Sequence, residues 1–483
     1  MKIKDNSLLR SQCYINGEWL DADSGKTVDV TNPATGEVIC SVPFMGETET
    51  RRAIEGAEGA FHAWKTRPAK ERSVILRRWY DLMIEHQDDL ATIMTIEQGK
   101  PWEESRGEIV YAASFLEWFS EEARRAYGDT VPSPWADKRI LILKEPIGVT
   151  AAVTPWNFPA AMITRKCGPA LAAGCPMVVK PATSTPLSAL ALADLADRAG
   201  VPAGIFSVVT GSAREIGGEM TSNPIVRKLT FTGSTDVGKM LTKQCADTLK
   251  KVSMELGGNA PVIVFDDADL DAAVEGTMIA KFRNMGQTCV CANRIYAQAG
   301  IYDKFVDALA EKISALKVGN GLEEGMDQGP LIDAGATAKV AEHIADAVSK
   351  GARIVTGGKP HALGGTFFEP TLVADVPPNA LVAKDETFGP LAPVFKFETE
   401  EDVIRYSNDT DFGLASYFFT RDMGRVWRVA EALEYGIVGI NTGLISTTEA
   451  PFGGVKESGF GREGSKYGMD DFMETKYLCM GGL

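Results

Sequence analysis

The order of apolar segments predicts an α/β chain with two doubly wound, open parallel-sheet domains and a β ribbon inserted into the first. Three observations lead there. Short apolar runs at 149–153, 177–180, 205–210, 228–232 and 252–255 alternate with helical patterns at 184–198 and 235–245. Strands and helices that alternate about every 25–30 residues build right-handed βαβ units and a parallel sheet. The alternation starts afresh at Pro261-Val-Ile-Val-Phe265 and runs on through 352–356 and 391–397. Finally, 483 residues are too many for one simple core, so the chain divides into two or three domains.

In chain order, residues 12–45 read as short β segments, with Asn16-Gly17 and Thr35-Gly36 as turn signals. Three long helical patterns follow. The first covers 48–64. The second starts near Ala69, carries Val74, Leu76, Trp79, Leu82, Met83 and Leu90 at helical spacing, and stops at Gly99-Lys100-Pro101. The third starts near Pro101, with Ile109, Ala112, Phe115, Leu116 and Phe119 on one face. These helices are expected to be scaffold without chemistry. Residues 139–144 read as an edge or ribbon strand, 270–282 as a helix, and the tail 459–483 as Gly-rich and then apolar.

Composition narrows the function. Hydrophobic residues at 45% and charged residues at 24% are ordinary for a globular enzyme and argue against disorder. A net charge of −15 disfavours nucleic acid and anionic membranes as partners, and obliges any site for an anionic ligand to supply local positive charge. Residues 1–10 hold no sustained apolar region, so no secretory signal is expected, and no run of about 18 apolar residues suggests a membrane span. Eight cysteines without a C-x-x-C pair, and four histidines outside any zinc pattern, predict neither a disulfide framework nor a metal site. A reducing cytoplasm is the expected compartment.

Two glycine-rich loops resemble phosphate binders. Gly233-Ser-Thr-Asp-Val-Gly238-Lys239-Met240 nearly spells the ATP loop, but Met240 has no hydroxyl for Mg²⁺ and Asp236 would repel a triphosphate. Its backbone N–H groups still suit a dinucleotide pyrophosphate. Gly459-Phe-Gly461-Arg-Glu-Gly464 follows no buried strand and leaves too little chain for a βαβ unit, so it reads as a flexible or tightly turned segment.

The stretch Phe282–Arg294 places Cys289 in a polar, Gly-containing turn, with Arg283 and Arg294 on either side as cations that could lower its pKa. Alone, Cys289 reads more readily as a small buried hydrophobe than as a nucleophile. Other segments join it at strand ends. Thr154-Pro-Trp-Asn157-Phe-Pro159 sets an amide between aromatics, where Asn157 could instead cap a helix. Glu255-Leu-Gly-Gly-Asn259 and Glu386-Thr-Phe-Gly-Pro390 each carry a carboxylate into a glycine turn.

With Pro155-Trp-Asn-Phe-Pro159, Phe231-Thr-Gly-Ser234, Glu255-Leu-Gly-Gly258, Gly286-Gln-Thr-Cys289, Glu386-Thr-Phe-Gly-Pro390 and Pro451-Phe-Gly-Gly454, the sequence resembles the aldehyde dehydrogenase superfamily from end to end. Within it, the chain is most similar to the bacterial succinate-semialdehyde dehydrogenases of the NADP⁺-using type. The resemblance implies a dinucleotide-binding domain over 1–128 and 148–258 and a catalytic domain over 259–458. It also implies an oligomerisation arm at 129–147 with a C-terminal segment at 459–483, and assembly as a tetramer or dimer.

The implied reaction oxidises succinic semialdehyde to succinate, with glutarate semialdehyde or a broader range of aldehydes as the alternative, and implies a place in GABA degradation. Cys289 would add to the aldehyde carbon, Asn157 and the Cys289 N–H would hold the oxyanion, and Glu255 would activate water. Trp156, Asn157, Lys180, Thr183, Gly233, Ser234, Leu256, Glu386 and Phe388 would contact the cofactor. NAD⁺-preferring relatives place a Glu where Thr183 stands. A neutral Thr183 with Lys180 nearby therefore implies NADP⁺, with NAD⁺ weaker. Arg165, Arg283 and Ser446 would hold the substrate carboxylate, and Cys291 is a possible redox partner of Cys289.

Overall fold

The computed structural model describes residues 3–482. An eight-stranded sheet runs, edge to edge, through Gly459–Phe460, Lys251–Glu255, Val226–Thr232, Val149–Val153, Met177–Lys180, Phe206–Val208, Cys13–Ile15 and Glu18–Leu20. Its five central strands are parallel, and the hairpin at one edge and the Gly459–Phe460 strand at the other are antiparallel. The parallel strands are short and almost wholly buried, as expected of a sheet covered by helices on both faces.

A second, seven-stranded sheet uses Arg353–Thr356, Thr371–Ala374, Leu391–Phe397, Ala292–Gln298, Ala260–Val264, Ala415–Phe419 and Ile437–Ile440 in that order. Only its Arg353–Thr356 edge is antiparallel. Its helix Leu270–Phe282 is N-capped by Asp269, whose carboxylate accepts the Ala272 N–H.

Two expectations change. The 69–98 pattern is two helices, Ala69–Glu85 and Gln87–Gln98, hinged at His86 with φ −99° and ψ 18°. Asp88 and Asp89 then sit in a first turn, where the helix dipole favours acid, and the Asp89 carboxylate accepts the N–H groups of Lys4 and Asp5. The hydrophobic period survives a one-residue break, so the pattern did not betray it.

Of the two readings of 139–144, edge or ribbon strand, the edge does not hold. Lys138–Pro146 is the central strand of a three-stranded sheet, pairing with Met473–Gly481 over nine residues on one side and Asp129–Val131 on the other. Its chief partner lies more than 320 positions away and leaves no local mark. Among the described residues, no helix is long and apolar enough to cross a membrane.

Candidate active site

The parallel strands of the first sheet deliver several of the singled-out residues to one end. Val153 pairs with Lys180 and with Phe231, and Thr232 pairs with Glu255, so the chain leaves all four strands side by side. Ligands of open α/β sheets bind at such carboxyl ends.

The Asn157 turn is pinned from below. Its backbone oxygen accepts Lys100 Nζ at 2.7 Å and Asn284 Nδ2 at 3.0 Å. Lys100 is fully buried, ion-paired with Glu108, and 4.0 Å above the Phe158 ring. The other Glu108 oxygen accepts the N–H groups of Ala160 and Ala161. These two residues lie on or beside helices read as scaffold, and the Lys100 side chain was hidden inside a helix-stop signal. The Asn157 Nδ2 spends one hydrogen on the Gln287 carbonyl at 3.0 Å and keeps a second.

The turn before Cys289 is strained. Asn284 and Met285 have φ of 51° and 55°, and Gly286 follows at 74°. Two consecutive non-glycine residues in the left-handed region cost on the order of 1–3 kcal/mol each and persist only where their surroundings over-determine them. Here Glu104 accepts the Asn284 N–H at 2.8 Å, Gln98 donates to the Asn284 side chain at 3.1 Å, and the Gln287 side chain accepts the Ile332 N–H at 3.0 Å. Gly286 is required because a Cβ there would lie 2.2 Å from the Gly389 oxygen. Gly258 is required for a similar reason: its Cβ would meet the Cys289 oxygen at 2.4 Å.

A cavity of about 260 Å³ opens at the resulting junction. It brings Cys289 and Asn157 together with Trp156, Gly233, Ser234, Leu256, Glu386 and Phe388. Trp156 and Phe388 meet edge to face at 5.6 Å, and Glu386 accepts the Gly258 N–H at 3.0 Å. Lys339, which no sequence signal marked, also lines it. Lys180, the last residue of Met177–Lys180, and Thr183, exposed in the turn after it, lie outside this lining. Lys180 Nζ is buried and bonds only the neighbouring Pro181 carbonyl, at 3.0 Å, and burial lowers its pKa to about 8. An ammonium that pairs with no carboxylate among the described residues, a Glu386 oxygen left over and an aromatic wall are groups a dinucleotide phosphate, ribose and nicotinamide need, so the residues fit a nicotinamide dinucleotide, NAD(P)⁺. Among the described residues, no group of His, Cys, Asp or Glu side chains could hold a metal ion.

A separate, tighter cavity is lined by Arg283, Thr288, Val290, Tyr417 and Ser446. It flanks the Cys289 turn on the side of two predicted substrate residues. The Arg283 guanidinium lies 5.2 Å from the Phe158 ring centre and forms no ion pair among the described residues. Arg165 differs from expectation. It is 1% exposed, ion-paired through Nε with Glu463, and stacked 4.1 Å over Phe452, so it is not an unencumbered fork. Its Nη2 has no hydrogen-bond partner. Glu463, which also pairs with Lys166, comes from the glycine-rich tail segment.

The electrostatics of Cys289 also run against the first expectation. Burial pushes its thiol up to about 12; Arg165 and Arg283 pull the other way without winning. Arg294 takes no part. It is buried and spends its guanidinium on the carbonyls of Asn259, Tyr406 and Ser407 and the Tyr435 hydroxyl. Glu255 is buried with neither oxygen hydrogen-bonded, and burial first, then Glu463, holds its carboxyl well above the usual range. Burial likewise raises Glu386 to about 7. Cys291 is buried, and Lys281 Nζ donates to its sulfur at 3.2 Å.

Residues 19–478 match the aldehyde dehydrogenase family. The chain is 70% identical to glutarate-semialdehyde dehydrogenase of Pseudomonas aeruginosa, over the whole of both chains. It is 66% identical to the succinate-semialdehyde dehydrogenase [NADP(+)] of Escherichia coli, again over the whole of both. The crystal structure of succinate-semialdehyde dehydrogenase from Burkholderia pseudomallei superposes with a TM-score of 0.99 at 64% identity, covering both chains fully.

Proposed function

The chain belongs to the aldehyde dehydrogenase family, and from that premise we propose that it oxidises a short aliphatic semialdehyde bearing a distal carboxylate, with NADP⁺ preferred over NAD⁺. The observation that carries the reading is the single cavity that gathers Cys289, Asn157 and the aromatic and acidic wall of Trp156, Phe388 and Glu386.

The chemistry follows from the residues. The Cys289 sulfur adds to the aldehyde carbon, and its proton must leave to a base because the resting thiol is neutral. Glu255, unpartnered and beside it electrostatically, takes that role once ionised. The oxyanion is received by the second Asn157 Nδ2 hydrogen and by the Cys289 N–H, which makes no hydrogen bond among the described residues. When bound, NADP⁺ supplies the acceptor for the hydride that leaves the same carbon. After Glu255 has passed the thiol's proton on to solvent, it removes a proton from water, which attacks the thioester carbon; the C–S bond breaks, the Cys289 sulfur leaves and the carboxylate product is freed.

Succinic semialdehyde is the first substrate proposed, supported by the 66% identical relative named for it. Glutarate semialdehyde is a second reading, favoured by the 70% identical relative. One methylene discriminates by only about 1–3 kcal/mol, so one site can turn over both. The division into a dinucleotide-binding domain and a catalytic domain belongs to the same proposal. So does pairing of copies through the Lys138–Pro146 sheet, where Tyr477 and Met480 are exposed. Initial rates over three- to six-carbon semialdehydes and plain aldehydes, each with both cofactors, test the reading. The four- and five-carbon semialdehydes with NADP⁺ should give the highest kcat/KM. A plain aldehyde at the top would overturn it.

A further inference from the structure

We propose that the Tyr111 hydroxyl is a specificity-determining donor to the substrate's distal carboxylate, acting beside Arg165 and Arg283. The inference rests on the semialdehyde reading above and goes beyond it in naming a residue on a helix that sequence reasoning left without chemistry.

Tyr111 lies on the helix Trp102–Glu122. Its ring packs edge-on against Phe115 at 5.0 Å, and Phe115 in turn lies 5.8 Å from the Arg165 guanidinium, which Phe452 covers at 4.1 Å. The column therefore leads from Tyr111 to a buried cation. The same helix is tied to the loop carrying Ser446 by Ser114, whose hydroxyl lies 3.1 Å from that of Thr448.

At the tip of this ring, the Tyr111 oxygen is buried and has no hydrogen-bond partner. A buried hydroxyl without a partner is uncommon and needs a physical reason. Arg165, Arg283, Cys289 and Glu463 are the charges that act on it. Arg165 Nη2 is also unpartnered, and Arg283 forms no ion pair among the described residues. Donors with unused hydrogens near one buried cation, with the neighbouring Glu463 carboxylate already ion-paired to Arg165 and Lys166, suit a ligand carboxylate, which has about four lone-pair sites to fill. An uncharged alkyl end would leave all three unsatisfied, which is how such a site rejects it.

Tyr111→Phe tests this, because it keeps the ring and removes only the oxygen. Wild type should first prefer succinic semialdehyde to butanal in kcat/KM; if it does not, the semialdehyde reading itself fails. Given that preference, the variant should lose about 10- to 100-fold in kcat/KM for succinic semialdehyde, mostly through KM, the size of a hydrogen bond to a charged group. Its kcat/KM for butanal should change less than about threefold, and its thermal midpoint should hold or rise, since a buried unsatisfied group has gone. Inhibition by succinate should weaken in parallel. Equal losses on both aldehydes, or unchanged succinate inhibition in a folded variant, would overturn the proposal.

Discussion

The carbonyl oxygen of Asn157 accepts the ammonium of Lys100 at 2.7 Å, and that ammonium is itself ion-paired with a fully buried Glu108. The turn that brings Asn157 into the same cavity as Cys289 thus hangs on a charge inside the protein. Burial alone would drive Lys100 to lose its proton, and Glu108 works against that.

Lys100→Met should destabilise the fold by about 3–5 kcal/mol, because it strands Glu108 unpaired in the interior. Lys100→Met with Glu108→Gln should recover part of that loss in a urea melt. Its kcat should stay low, since the Asn157 carbonyl would still lack its donor. Recovery of kcat together with stability would mean that Lys100 matters only for folding.

Glu255 carries the pH dependence. Its pKa is raised well above the usual carboxylate range by burial, so it keeps its proton to higher pH than an exposed Glu and acts as a base only once that proton is lost. Activity should therefore climb as pH rises through that elevated pKa. Glu255→Gln should flatten the climb and lower steady-state kcat by about 10²–10⁴-fold. Comparing pH–rate profiles of the two proteins decides this; a Gln variant that keeps the wild-type slope assigns the titration elsewhere.

Cofactor choice should respond to both Lys180 and Thr183. Lys180 titrates near 8, lowered by burial, and only its charged form attracts a 2′-phosphate. The sign is that KM for NADP⁺ should rise as pH increases through about 8 while KM for NAD⁺ changes less. Thr183→Glu should move the kcat/KM ratio toward NAD⁺, because a carboxylate repels the phosphate and accepts the ribose hydroxyl. Parallel KM curves for the two cofactors would remove Lys180 from the account.

The parts of the fold legible in the sequence were those set by local pattern. Helix 270–282 and strand 391–397 fall where periodicity put them, because capping by Asp269 and a run of buried β-formers act within a few residues. What escaped was non-local. Nothing near Arg139 announces a partner strand at 473–481, and nothing near Gly459 announces that Glu463 will ion-pair with Arg165 and Lys166. Motif spacing marked Cys289, Asn157 and Glu386, which the fold does bring to one cavity. Proximity in sequence misled over Arg294, five positions from the thiol yet turned away to cap backbone carbonyls. It misled over Cys289 as well, whose flanking cations are outweighed by burial, a quantity no sequence displays.

The most direct measurement is a rapid-mixing assay of Cys289→Ser with succinic semialdehyde and NADP⁺, on protein whose melting curve matches wild type. The account predicts neither a burst of NADPH nor measurable steady-state succinate, since a serine hydroxyl is far harder to ionise than a thiol in the same buried turn. A burst and turnover at wild-type rates would contradict it.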